Sequence, residues 1–214
     1  RAFSRAEKPQ TANVTFLPPA VMRNEVIAFD TGPGNCLIDS AASTLSSGRM
    51  RLGEGGSQAL DGTIDESVLR EILSMPYFRQ PPPKSTGRGL FNMELAQSIV
   101  WKVPQAKDCL ATGTAITAQS IADAIRRFWP VSNPPRRVIV SGGGVHNEAL
   151  MLMLRKRLGA VEVIPSDELG IDPDFKEAIA FAWLADRTMQ HLPGNLPSAT
   201  GASRPVILGN ITPA

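Results

Sequence analysis

The 214 residues are 43% hydrophobic and carry a formal net charge of +2. That is enough apolar material for a core, and too little charge imbalance for a nucleic-acid footprint or a polybasic membrane anchor. The longest uninterrupted apolar run, Ala178 to Ala185, is eight residues, far short of the roughly 20 that cross a bilayer. Two cysteines, Cys36 and Cys109, and two histidines, His146 and His191, provide neither a disulfide framework nor a transition-metal spacing, and a reducing, cytoplasmic compartment is expected. The chain opens Arg1-Ala2-Phe3-Ser4-Arg5 without a methionine or an apolar signal core, so it is expected to be a fragment.

Residues 1 to 12 are charged and polar with no period and read as a loose or truncated arm, with the domain proper expected over 13 to 214. Val14 to Leu17 is a short strand closed by Pro18-Pro19, expected to form a hairpin with Val26 to Phe29 across Met22-Arg23-Asn24. The second strand ends on Asp30, followed at once by Thr31-Gly32-Pro33-Gly34-Asn35. Glycines there open the backbone to a ligand, and Pro33 restricts the loop. Asn35 reads as the N-cap of a helix from Cys36 to Ala42. Two readings stay open: a carboxylate delivered to a site, or a tight turn in which Asp30 bonds its own loop.

Gly48 to Gly62 has no period and reads as a long loop, either a lid or a variable surface segment. Ile64, Val68, Leu69, Ile72 and Leu73 mark one face of a helix that Pro76 ends. Pro81-Pro82-Pro83 reads as a stiff spacer holding out Lys84-Ser85-Thr86-Gly87-Arg88, a set that suits an anionic sugar or phosphate, or simply a solvated turn. Asp108 to Phe128 is the longest helix candidate, with Asp108 as a cap, and is assigned to scaffold. Arg137 to Ser141 is a buried strand running into Gly142-Gly143-Gly144, and Asn147 caps a helix through Leu158.

A strand, a glycine turn and a helix N-terminus suit an anion or nucleotide as well as a plain packing turn. The pattern is neither GxxxxGK[ST] nor GxGxxG, which disfavours a P-loop NTPase and a Rossmann dehydrogenase. Val161 to Ile164 is a further strand. Between Phe175 and Ala185 the last helix is apolar except for Lys176 and Glu177, so it is expected to be buried. Glu177 either complements the helix dipole or serves a site. The turn-rich tail is expected to end in a strand, Val206 to Ile211.

FDTGPGN at 29 to 35, PYF at 76 to 78, PPPKSTGR at 81 to 88, VSGGGVHN at 140 to 147, KEAIAFAWLA at 176 to 185 and LPGNLPSATGA at 192 to 202 stand in the order seen in anhydro-N-acetylmuramic acid kinases. From about Thr11 to Pro213 the chain resembles the C-terminal part of one. Alternating strands and helices by themselves give an α/β domain. The resemblance implies the actin, Hsp70 and hexokinase-type (ribonuclease H-like) fold, in which two lobes close over ATP, with this chain as most of the second lobe and incomplete without the first.

It also implies ATP-dependent phosphorylation of 1,6-anhydro-N-acetylmuramic acid with hydrolytic opening of the anhydro ring. Asp30 is then the catalytic base, assisted by Glu177. Thr31, Gly32, Gly34 and Asn35 line the substrate and phosphates, Gly142, Gly143, Gly144 and Asn147 the nucleotide. Mg²⁺ accompanies ATP without protein ligands, and a homodimer is compatible with the family. The alternative is a lobe that binds nucleotide or sugar without turnover. Gly89 replaces the acid that usually follows the arginine, and Glu7 to Thr11 stands where relatives carry a glycine pair. The chain alone is therefore expected to be kinase-incompetent.

Overall fold

The computed structural model describes residues 11–16, 26–46, 54–87, 89–129 and 135–212, with residues 54 and 55 by backbone only. The long helix α6 (Ala106–Phe128) is the axis of the molecule. From Cys109 to Ala118 nearly every side chain is fully buried, and these are mostly Ala, Thr and Gly. Small side chains let neighbours approach on all sides, and the hydroxyls are satisfied locally: Thr112 and Thr114 donate to the carbonyls of Asp108 and Leu110 at 2.7 and 2.8 Å. The helix starts earlier than its sequence suggests. Gln105 stands at the cap, and Asp108 lies in the first turn, accepting from the Thr63 N–H at 2.7 Å.

The expected hairpin forms. Strands β1 (Ala12–Phe16) and β2 (Ile27–Gly32) pair antiparallel with Asn13 opposite Asp30 and Val14 opposite Phe29. The register shifts between Ala12 and Asn13. Leu17 and the turn Met22-Arg23-Asn24 lie outside the described residues. Helix α1 (Cys36–Ser46) follows β2. The stretch expected as the loop Gly48 to Gly62 contains α2 (Glu54–Leu60), whose Ala59 is buried in a cluster with Ile38, Leu110 and Ala149; residues 48 to 53 lie outside the description. Helix α3 (Glu66–Leu73) is capped by Asp65, which accepts from the Ser67 and Val68 N–H groups, bonds that with the Ser67 hydroxyl hold its carboxyl below the usual range.

Pro76 opens the short turn α4 (Pro76–Arg79), and α5 (Met93–Lys102), capped by Asn92, is a helix the periodicity reading passed over. Pro82 and Pro83 sit in a bend rather than an extended spacer. Strands β3 (Arg137–Val140) and β4 (Glu162–Pro165) pair in parallel, joined by α7 (Glu148–Leu158). Strand β3, expected to be buried, has no buried residue, and Ile139 is 48% exposed, because β4 is its one strand partner among the described residues. Two clusters form the larger core. One gathers Leu37, Val68, Leu69, Ile72, Tyr77, Phe91, Ile99 and Ile116, the other Phe16, Phe29, Ile125, Leu150, Leu154 and Val163. Each fully buried Leu, Ile or Phe there contributes about 1.5–3 kcal/mol relative to exposure.

Two expectations fail at the C-terminus. Helix α8 (Lys176–Met189) is not buried: Phe181 is 72% and Trp183 54% exposed. It packs against its own tail, where Arg187 donates to the Pro193 carbonyl at 3.0 and 2.9 Å and Leu184 and Leu208 flank Gly194. Residues 206–211 form no strand. The tail does return to the hairpin through α9 (Pro197–Thr200), which lies beside β2.

Candidate active site

Strand β2 alternates as a strand must. Phe29 and Thr31 are buried, while Asp30 between them is half-buried at a cleft of about 560 Å³. Both edges of β2 are occupied at Asp30. On one side stands Asn13 of β1. On the other, the Asp30 N–H donates to the Lys84 carbonyl at 3.1 Å and the Thr86 N–H donates to Asp30 Oδ2 at 2.8 Å. Beneath them, the Tyr77 hydroxyl donates to the Asp30 carbonyl at 2.7 Å. Burial, and then the negative charge of Asp30, push the Tyr77 hydroxyl well above its ordinary range, so it remains a donor at any working pH.

The carboxylate is thus bonded 56 residues away and not to its own loop, which disposes of the self-bonded turn. Its other oxygen has no donor among the described residues. The cleft is lined also by Asn13, Ser85 and Thr200. Polar residues beside a carboxylate on a concave surface suit a polyhydroxylated ligand.

The other residues expected around Asp30 divide between packing and site. Thr31 is 1% exposed and its hydroxyl donates to the Ala12 carbonyl at 3.2 Å, away from the cleft. Gly32 is glycine for space: a Cβ there would stand 2.6 Å from Ser120 Oγ. Gly34 adopts φ +58°, and its carbonyl accepts from Thr117 Oγ1 at 2.7 Å, which ties the turn to α6. Asn35 does not cap α1 with its side chain; its Oδ1 is buried without a partner.

The glycine triplet turns the chain from β3 into a short 3₁₀ segment, Gly143–His146, and then into α7. Gly142 needs its glycine, with φ +81° and its N–H on the Pro173 carbonyl at 3.0 Å. Asn147 caps α7 as expected, accepting from the Leu150 N–H at 3.0 Å. A Cβ built on Gly143 would lie 3.6 Å from Asn35 Nδ2, so the two glycine turns meet. Asn35 immediately precedes α1, and a helix N-terminus favours an anionic ligand.

Glu177 stands in the exposed first turn of α8, three residues after Asp174, whose carboxylate meets His146 Nε2 at 3.2 Å. The Asp30 cleft is lined from β1, β2, the 83–85 segment and α9, and Glu177 does not border it.

The family model described as Anhydro-N-acetylmuramic acid kinase matches residues 10–214. The chain belongs to the anhydro-N-acetylmuramic acid kinase family. It is 46% identical over 210 residues to the anhydro-N-acetylmuramic acid kinase of Gloeobacter violaceus, covering 95% of this chain and 53% of that protein. Against the namesake from Rhodococcus erythropolis the identity is 43% over 189 residues, 87% of this chain and 46% of the relative. The Synechococcus elongatus protein is 42% identical over 205 residues, covering 93% and 54%. The chain thus spans about half the length of these relatives.

Asn13, Tyr77 and Thr200, which sequence reasoning did not single out, reach Asp30 or its cleft, as do Ser85 and Thr86 of the segment it read as either a sugar or phosphate contact or a solvated turn. The signal lay in the PYF, KSTGR and LPSATGA motifs, but only the folded chain shows which of their groups face Asp30. Arg88 lies outside the described residues; a Cβ at Gly89 would meet nothing within 4 Å, so an acid there has room.

Among the described residues no group of three His, Cys, Asp or Glu side chains can hold a metal ion. No helix among the described residues is long and apolar enough to cross a membrane.

Proposed function

We propose that this chain forms the C-terminal lobe of a ribonuclease H-like, two-lobed cytoplasmic kinase that phosphorylates 1,6-anhydro-N-acetylmuramic acid with ATP while water opens the anhydro ring. The observation that carries this reading is Asp30: one carboxylate oxygen is fixed by the Thr86 N–H, and the other has no donor among the described residues, at the wall of a cleft that Ser85 and Thr200 also line.

Asp30 takes a proton from water as the water oxygen bonds to the anomeric carbon. The bond from that carbon to O6 breaks, O6 takes the γ-phosphoryl group, and ADP leaves. The product is N-acetylmuramic acid 6-phosphate, with one proton released. A base that is anchored but not fully engaged suits this role, because its free oxygen needs no rearrangement to accept the proton. The turn formed by Gly142, Gly143, Gly144 and Asn147, with Gly143 against Asn35, takes the nucleotide, since glycine lets main-chain N–H groups approach the phosphates closely. Glu177 acts on the sugar or water only once α8 is brought over the cleft. Mg²⁺ travels with ATP on its phosphates.

Because the chain spans about half of its relatives, turnover is assigned to a longer protein containing it. In such a protein, Asp30→Asn keeps an acceptor for the Thr86 N–H and loses the base. Turnover then drops about a hundredfold or more, with an unchanged circular dichroism spectrum. Reaction in H₂¹⁸O places the label at the anomeric hydroxyl and not in the phosphate. Near wild-type turnover in the variant removes Asp30 from the mechanism, and label in the phosphate replaces ring opening with ATP hydrolysis.

A further inference from the structure

One cation beside Asp30 is left unused by that chemistry. Lys84 Nζ lies 4.6, 5.5 and 5.7 Å from the ring centroids of Tyr77, Phe128 and Phe29 and donates to the Tyr77 carbonyl at 3.1 Å. It forms no ion pair among the described residues. Burial, and then the nearby Arg127 guanidinium, lower its proton affinity, and the negative ring faces offset that loss. The three rings come from three elements, β2, α4 and α6.

The same residue's backbone lies along the free edge of β2. Its carbonyl takes the Asp30 N–H, and two residues on, the Thr86 N–H reaches the carboxylate. Ser85, between them, lines the cleft. The segment ends in a glycine, Gly87, and follows three prolines; besides the bonds to Asp30, the Thr86 side chain meets the Tyr77 hydroxyl, so Tyr77 and Lys84 hold it together.

We propose that Lys84 is a positioning residue for Asp30: its ammonium, gripped by Phe29, Tyr77 and Phe128, pins residues 84–86 against β2 so that the Thr86 N–H fixes the orientation of the Asp30 carboxylate. This rests on the assignment of Asp30 as the base. A misplacement of about 1 Å at such a group costs on the order of a hundredfold in rate without weakening ground-state binding.

The test pairs a structural with a kinetic readout. In the 214-residue chain, Lys84→Met, which keeps the apolar stem and removes the charge, should shift the Thr86 amide proton upfield and speed its hydrogen exchange at least tenfold. In a full-length family protein carrying these residues, the same change should lower kcat at least tenfold while KM for the sugar stays within threefold. An unaltered Thr86 amide, or kcat within twofold of wild type, overturns the proposal. If Lys84→Met fails to fold, Phe128→Leu, which takes one ring face away from the Lys84 ammonium and touches neither Asp30 nor Thr86, must lower kcat with KM unchanged; wild-type kcat there overturns it. A responsive Thr86 amide in a protein that has no wild-type turnover supports the contact and sinks the assigned reaction instead.

Discussion

Glycine does different work in the two turns that face each other. At Gly32 an added methyl would stand 2.6 Å from Ser120 Oγ and 3.1 Å from the Phe78 ring, whereas at Gly143 the nearest atom, Asn35 Nδ2, is 3.6 Å away. The first is a packing glycine; the second has the open space that the proposed nucleotide site needs. Gly32→Ala should therefore cost about 1–3 kcal/mol of stability by overpacking, read from denaturant midpoints. Gly143→Val should leave stability nearly unchanged and weaken ATP binding more than sugar binding, because its branched side chain fills the space in front of Asn35 without approaching Asp30. Equal loss of both ligands in calorimetry would make the triplet a packing turn too.

Helix α1 carries the one strongly perturbed carboxylate of this region. Asp39 is half-buried, its Oδ2 has no partner, and burial pushes its pKa up to about 6. An acid whose pKa is raised on folding binds its proton more tightly in the native state, so stability is highest below the ordinary carboxylate range and falls as pH rises from about 4 to 6. Asp39→Asn should remove that slope and raise stability at pH 7.5 by about 1 kcal/mol, after allowing for solvent screening of the partly exposed carboxylate. A thermal-melt series from pH 4 to 8 reads it; parallel pH curves for the two proteins would exclude Asp39 as the cause.

Elements were legible wherever local pattern and tertiary partner agreed. The hairpin, α3, the Asn147 cap and the β3–α7–β4 unit follow from period and punctuation. Helix α2 was missed because Gly55-Gly56 reads as loop, while its helix survives through contact of Ala59 with Leu110 and Ala149. Helix α6 looked only moderately apolar and is the most buried element, its Thr and Ser hydroxyls bonded within the protein. Helix α8 looked the most apolar and is the most exposed. Hydrophobicity reports the need for a partner, not its presence. The place of Asp30 at a strand end and the turn at the glycine triplet were legible from local pattern, while their proposed roles came from the family resemblance. The contacts of Thr86 and Tyr77 to Asp30 were not legible, because they are a backbone N–H and a bond to a main-chain carbonyl.

For the whole molecule, the exposed face of α8 sets the last prediction. Phe175, Ile179, Phe181, Trp183 and Met189 are all more than half exposed, Phe175, Ile179 and Trp183 along one side and Phe181 on the other, more apolar surface than soluble monomers usually leave uncovered. The same helix carries Glu177, which does not border the Asp30 cleft, and the chain covers 53% of its Gloeobacter relative. These point the same way: the rest of the longer protein would cover α8 and complete the phosphate cradle. Phosphoryl transfer depends on positioning and charge stabilisation, so half a cradle forfeits most of the rate even with Asp30 in place. The 214 residues alone should therefore phosphorylate no measurable sugar and should self-associate at micromolar concentration. A Phe181→Ser, Trp183→Ser pair should restore the monomer in sedimentation velocity without restoring turnover. Robust phosphorylation by the purified chain would refute this, and would mean that a second copy supplies the missing groups; a wild-type chain that stays monomeric at high concentration would mean that α8 has found its cover within these residues.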